Sequence, residues 1–297
     1  MSQPAKPSSD DADAVVAALE SVRAKVAGHA ARRSAAEPPP TLVAVSKTKP
    51  AELIAAAYGA GQRDFGENYV QEVVAKAPAL PDDVRWHFIG HLQSNKVKEL
   101  LSVPNLACVH TVDSLKLANE LQKRAVQLRK PDAPLTVFVQ VNTSGEESKS
   151  GCAPDEAAAL CLAVRDGCAA LRLAGLMCIG KYSSAEGGAE DDFACLGRCR
   201  AEAAAALGVE VGSLALSMGM SHDYETALAA GATHVRVGST IFGARAYAAS
   251  KPPAKPADAA ASADAATPPS AAGAEQAEAQ KDGGASAAAP AAPTSGA

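Results

Sequence analysis

The chain has 297 residues, with 28 basic against 33 acidic, a net charge of −5, 47% hydrophobic residues and 4% aromatic ones. That is enough for one large domain or two small ones, and the Leu, Val and Ile runs between residues 41 and 243 can bury a substantial core. No basic block marks a nucleic-acid or membrane-surface partner, and no run of eighteen apolar residues marks a membrane span.

The first stretch, "MSQPAKPSSDDADA", has neither the apolar centre of a secretory signal nor the arginines of a transit peptide. The expectation is a soluble cytoplasmic protein, with an organelle as the alternative compartment. Seven cysteines without a CxxC pair read as reduced, mostly buried thiols, and Cys195 and Cys199 have no histidine at zinc spacing. No metal site is expected.

Residues 1–10 read as a flexible lead. Val15, Leu19, Val22 and Val26 then recur at helical spacing, opening a domain expected over 11–250. Strand-like runs follow at 41–47, 63–66, 86–91, 107–114, 135–142, 171–180, 213–219 and 234–238, and each is followed by a helical pattern. Pro50 suits a first helical turn after the first of them. Eight strand–helix units in about two hundred residues fit a small (β/α)8 TIM barrel. The strands are near-continuous apolar runs, as expected when helices cover the sheet. A doubly wound open sheet is the alternative, but "VSKTKP" is not the glycine-rich turn it would carry. Residues 251–297 form an Ala/Pro-rich tail. From 252 onward it has no Leu, Ile, Val, Met or aromatic residue, and 20 of those 46 positions are alanine. Such a segment cannot offset its ordering entropy, so disorder is expected.

Active sites of barrels gather at the C-terminal strand ends. Read in order, these ends offer Lys47, Glu67–Asn68, His91, Asp113, Asn142, Met177, Ser217–Ser221 and Arg236–Ser239. The small residues of "SMGMS" (217–221) and "RVGST" (236–240) allow close backbone approach to an anion, and Arg236 adds charge. Strands seven and eight are the usual phosphate corner of this architecture. Two ordinary turns with serine caps would be the plainer reading. A lysine on strand one, desolvated at the rim, becomes a neutral amine that attacks an aldehyde. A ligand with both a phosphate and an aldehyde fits, and pyridoxal 5′-phosphate is one.

Beyond the single residues, "VAVSKTKP", "FGENYVQE", "WHFIGHLQSNK", "VNTSGEESKSG", "GLMCIG", "LSMGMSHDYETAL" and "VRVGSTIFGAR" occur in order over about residues 10–248. This series resembles the pyridoxal phosphate homeostasis protein family, of the proline synthetase co-transcribed type. The resemblance implies a single monomeric barrel of the alanine racemase N-terminal-domain type. Such a protein binds pyridoxal 5′-phosphate in vitamin B6 homeostasis without established catalysis, and apo-enzymes that need the cofactor are candidate partners. It implies Lys47 as the Schiff-base lysine, Asn68 near the ring hydroxyl, and Met218, Ser221, Arg236, Gly238 and Ser239 around the phosphate. Lys149 matches a family lysine linked to cofactor handling.

Other readings compete. Lys49 is expected to face solvent. His87 and His91 share a strand face at spacing four but read as hydrogen-bonded packing residues, and Asp113 and Asn142 as caps or water-orienting groups. An amino-acid racemase or decarboxylase would need an acid/base group on the second ring face, which related barrels draw from a further domain or subunit. An aldolase would use Lys181 as its nucleophile, and it ignores "SKTKP".

Overall fold

In the computed structural model the described residues are 7–32, 39–181 and 188–244. The chain divides into two units, Met1–Tyr247 and Ala248–Ala297, and the tail expected to be disordered lies outside the described residues.

Eight parallel strands close on themselves in chain order: β1 (Thr41–Val45), β2 (Asp64–Glu67), β3 (Arg85–Phe88), β4 (Leu106–Val112), β5 (Leu135–Gln140), β6 (Leu171–Met177), β7 (Ala215–Ser217) and β8 (His234–Val237). The seam pairs Thr41 with His234 through to Ala44 with Val237. Closure removes the sheet edges that an open sheet would expose.

Helix α1 (Ser9–Ala30) precedes the barrel and begins inside the stretch read as flexible. Ser8 explains this early start. Its Oγ accepts the Asp11 amide at 3.2 Å, and Asp11 Oδ2 accepts the Ser8 amide at 2.9 Å, closing a capping box. Val15, Leu19, Val22 and Val26 are all buried, as their spacing predicts.

The outer helices are α2 (Ala51–Gly59), α3 (Val70–Lys76), α4 (Val97–Leu100), α5 (Leu115–Leu128), α6 (Ala157–Gly167), α7 (Gly188–Leu207), α8 (Tyr224–Ala229) and α9 (Ser239–Phe242). Their apolar faces and the outward strand residues make one large core. Inside the barrel a smaller apolar set, Cys108, Phe138 and Met177, packs near His87, His110 and His234. The strands are shorter than their apolar runs. β7 spans three residues because Val211–Ser213 coils into a 3₁₀ turn before it.

Candidate functional site

A cavity of about 350 Å³ opens at the C-terminal strand ends. Lys47, Lys49, Asn68, Ile89, Ile179, Met220, Ser221, His222, Arg236, Gly238, Ser239 and Gly243 line it, with Val45 at its base. Six of the seven expected residues therefore meet: Lys47, Asn68, Ser221, Arg236, Gly238 and Ser239. Met218 is the exception. Its side chain is buried in the outer core, and its amide donates to the His234 carbonyl at 3.1 Å. The reason is local. β7 ends at Ser217 and Gly219 turns the chain at φ +91°, so the inward position falls on Met220 instead.

Lys47 sits two residues past β1 in a tight turn closed by the Lys49 amide on the Ser46 carbonyl at 3.0 Å. Thr48 occupies this turn at φ +62°, a conformation that disfavours a β-branched residue. A charged brace holds it there. Glu72 Oε2 accepts the Thr48 amide at 2.7 Å and the Lys76 ammonium at 2.6 Å. Lys76 also donates to the Ser46 carbonyl at 3.0 Å and to Glu67 Oε1 at 2.7 Å, where the Ser46 hydroxyl arrives as well. Glu67, expected at the rim beside Asn68, is fully buried. Burial raises its carboxyl pKa, against the opposing pull of Lys76 and Ser46.

Asn68 is placed by Gly90. A Cβ on Gly90 would stand 2.0 Å from the Asn68 carbonyl oxygen, so only glycine lets the two loops pack. Asn68 Oδ1 is buried with no hydrogen-bond partner among the described residues.

On the far side of the mouth, the Gly238 and Thr240 amides converge on Ser221 Oγ at 3.0 and 3.4 Å. Arg236 forms the floor. Its guanidinium is buried and donates to Ser217 Oγ and the Cys178 carbonyl, both at 2.8 Å. Burial lowers its pKa from the ordinary value, yet an arginine stays charged. Both hydrogen-bond partners are neutral, and no carboxylate among the described residues forms an ion pair with it. Burial makes this cation costly; the charge of the buried Asp223 offsets part of that cost without touching it, and an anionic ligand above it would relieve more.

The remaining strand ends do other work. His91 Nδ1 lies 3.0 Å from Ser150 Oγ and 3.4 Å from Asp113 Oδ2, and Asn142 Nδ2 donates to the Glu146 carbonyl at 3.0 Å. These groups shape the loop after β5 and do not line the cavity. Lys149 pairs with Glu146 and donates to the Gly180 carbonyl at 3.1 Å. Lys181 is exposed and outside the cavity, so its surroundings do not suit a Schiff-base nucleophile. Lys49, expected in solvent, is half-buried in the cavity wall, with its ammonium on the Ala244 carbonyl at 2.8 Å. The expected pocket missed Met220 and His222 as well. Their positions follow the turn at Gly219, which periodicity does not reveal.

Residues 23–246 match the family described as alanine racemase, N-terminal domain. The fold extends to alanine racemase of Corynebacterium glutamicum, at 14% identity and a TM-score of 0.59, over 81% of this chain and 63% of that one. The chain is 48% identical to the pyridoxal phosphate homeostasis protein of Mus musculus, over 82% of this chain and 92% of that protein. The protein of the same name from Escherichia coli is 44% identical over 77% of this chain and 96% of its own length. PipY of Synechococcus elongatus, solved with PLP bound, is 33% identical with a TM-score of 0.61, over 77% of this chain and all of that one. The chain belongs to the pyridoxal phosphate homeostasis protein family, on the barrel of the alanine racemase N-terminal domain.

Proposed function

We propose that the protein binds pyridoxal 5′-phosphate in the cavity at the C-terminal strand ends and serves vitamin B6 homeostasis as a carrier rather than as an amino-acid enzyme. The observation that carries this reading is Arg236, a buried cation whose hydrogen-bond partners are all neutral, beneath a cavity that Lys47 lines. When bound, the cofactor supplies an aldehyde open to capture by an amine and a phosphate dianion. Lys47 is the amine held at the mouth. The Gly238 and Thr240 amides already converge on one oxygen, the arrangement a phosphate oxygen would share, while Ser221 and Ser239 add hydroxyls. The unpartnered Asn68 Oδ1 suits a hydroxyl donor on the ring.

The carrier reading rests on what surrounds Lys47. Turnover of an amino acid needs a second positioned acid/base group. Lys49 and His222 are the other basic side chains in the wall that could move a proton. Lys49 is held by the Ala244 carbonyl, and His222 lies 3.2 Å from Asp223 at the exposed rim. Monomeric action in the cytoplasm and delivery to apo-enzymes belong to the same proposal. Among the described residues, no helix is long and apolar enough to cross a membrane.

Borohydride reduction followed by peptide mapping tests the site. Label on Lys47, absent in Lys47→Ala, is expected, and label on Lys49 or Lys181 would overturn the assignment. A panel of amino acids should show negligible racemisation or decarboxylation, while cofactor passes to an added apo-enzyme. Robust turnover lost in Lys47→Ala would replace the carrier with an enzyme.

A further inference from the structure

The barrel has a second cavity, of about 520 Å³, at the opposite end. Its wall includes Asp64, Arg85, Ala215 and His234, which begin strands β2, β3, β7 and β8, together with His87 and Cys108. His87 on β3 is the register partner of Cys108 on β4, and His110 follows two residues later on the same inward face. The ligand atoms of His87, Cys108 and His110 all lie within 4.8 Å of one another, and all three residues are buried. No other such group occurs among the described residues.

The outer nitrogens of both rings are already held. His87 Nε2 lies 3.0 Å from Asp64 Oδ1, and His110 Nδ1 lies 2.8 Å from Ser217 Oγ. Phe138 stacks on His110 at 4.6 Å between centroids, fixing its plane. The inner nitrogens, His87 Nδ1 and His110 Nε2, face each other at 2.9 Å. A carboxylate on the far nitrogen of an imidazole is the arrangement that orients histidines toward a metal and strengthens them as donors. It places the His87 proton on Nε2 and leaves the Nδ1 lone pair pointing at its neighbours. A pair of packed histidines sharing one proton would account for the 2.9 Å contact alone. It leaves unexplained why a thiol completes the triangle and why a cavity opens beside it.

We propose that His87, Cys108 and His110 form a site for a thiophilic divalent cation, Zn²⁺ foremost. Two imidazoles and one thiolate match zinc and disfavour magnesium or calcium, which take oxygen ligands. Around a tetrahedral zinc with bonds of about 2.0–2.1 Å to nitrogen and about 2.3 Å to sulfur, two nitrogens stand about 3.3 Å apart. The rings must therefore part from 2.9 Å and turn toward a common point that Cys108 Sγ, within 4.8 Å of both, also reaches. His87 and Cys108 line the cavity, so a water completing the metal's coordination would enter from that side. The proton balance is definite. The Cys108 thiol releases one proton to solvent as the metal–sulfur bond forms. His110 moves its proton from Nε2 to Nδ1, where Ser217 accepts it, with no net change. Asp64 stays a carboxylate. The site ties β3 to β4 at the base of the barrel, and Ser217 Oγ, which also accepts from Arg236, links it to the floor of the cofactor cavity.

The test uses full-length, tag-free protein stripped with a chelator and titrated with Co²⁺, a spectroscopic stand-in for zinc. One equivalent should give visible d–d bands and a near-ultraviolet thiolate-to-cobalt band, both bleached by Zn²⁺. Calorimetry in buffers of different ionisation enthalpy should find about one proton released per metal. Cys108→Ala should lose the charge-transfer band while still binding pyridoxal 5′-phosphate, which reports its folding. Asp64→Asn should weaken Co²⁺ binding by about 10–100-fold. A wild-type protein without the thiolate band overturns the site, whatever the variants do. So does a band that survives Cys108→Ala, which would place the metal on the thiols of α6 and α7.

Discussion

The Thr48 amide donates to Glu72 Oε2 at 2.7 Å, tying the turn that carries Lys47 to the first helical turn of α3. Thr48 pays a backbone penalty of about 1–2 kcal/mol at φ +62°, and the brace of Glu72, Lys76 and Glu67 is what holds it there. Glu72→Ala orphans that amide and removes one partner of Lys76. The expected loss is about 1–2 kcal/mol of cofactor affinity, or about 5–30-fold in Kd, with Lys47 untouched. Thr48→Gly, which removes the strain, should restore part of it in the double variant. Equilibrium binding on the four proteins of this cycle measures the coupling, and simple additivity would mean that the brace does not act through the turn.

Gly90 makes a second expectation. Any Cβ there meets the backbone of Asn68, not a flexible side chain, so the clash cannot be relieved by a rotamer change. Gly90→Ala should cost about 2 kcal/mol or more in stability, or else displace the loop after β2 and take Asn68 out of the cavity. Denaturant unfolding and cofactor titration together separate these routes. A variant with unchanged stability and unchanged binding would mean that the two loops do not pack as described.

Most of the barrel was legible because its signals are local. Eight apolar runs alternate with helical patterns, and the stripe of Val15, Leu19, Val22 and Val26 needs only its own spacing. Lys47, Ser221 and Arg236 were legible because strand ends in a barrel share one rim. What the sequence hid depends on distant partners or on a turn. Glu67 reads as a rim acid, yet it is buried, and Lys76, nine residues on, and Ser46, just past the end of β1, reach it. His87 reads as a hydrogen-bonded residue and is one, but its partner His110 lies 23 positions away, and no periodicity links them. The exchange of Met220 for Met218 follows from one positive φ at Gly219, a conformation glycine permits but does not announce.

The cysteines yield a chemical prediction. Burial pushes the thiols of Cys152, Cys161, Cys178 and Cys199 up to about 12 and raises those of Cys108 and Cys168 as well. At pH 8 a thiol with a pKa of about 12 is ionised to about one part in ten thousand, whereas an ordinary one near 8.5 is about a quarter thiolate. Cys195 is the one cysteine that is not buried. Iodoacetamide at pH 8 should therefore modify the native protein rapidly at Cys195 alone, and all seven positions in urea. Rapid native labelling of Cys178 would show that the barrel interior opens on the timescale of the reaction.

Arg236 allows ligand affinity and protein stability to be separated. The guanidinium is a buried charge whose hydrogen-bond partners are a hydroxyl and a carbonyl. Replacing such a charge with an apolar side chain of similar length removes its desolvation cost but leaves Ser217 Oγ and the Cys178 carbonyl short of a donor. These effects oppose each other, so Arg236→Met should change the melting temperature of the cofactor-free protein little. With pyridoxal 5′-phosphate bound, the same charge faces a dianion in a site shielded from water, where charged hydrogen bonds are worth about 1.5–3 kcal/mol. Affinity for the phosphorylated cofactor should then fall by about 10–150-fold, and affinity for pyridoxal, which lacks the phosphate, should hardly move. Raised salt should weaken the wild type more than the variant, although burial limits the screening. Equal losses for both ligands would mean that Arg236 shapes the cavity floor without reading the phosphate, leaving that task to Ser221, Ser239 and the amides of Gly238 and Thr240.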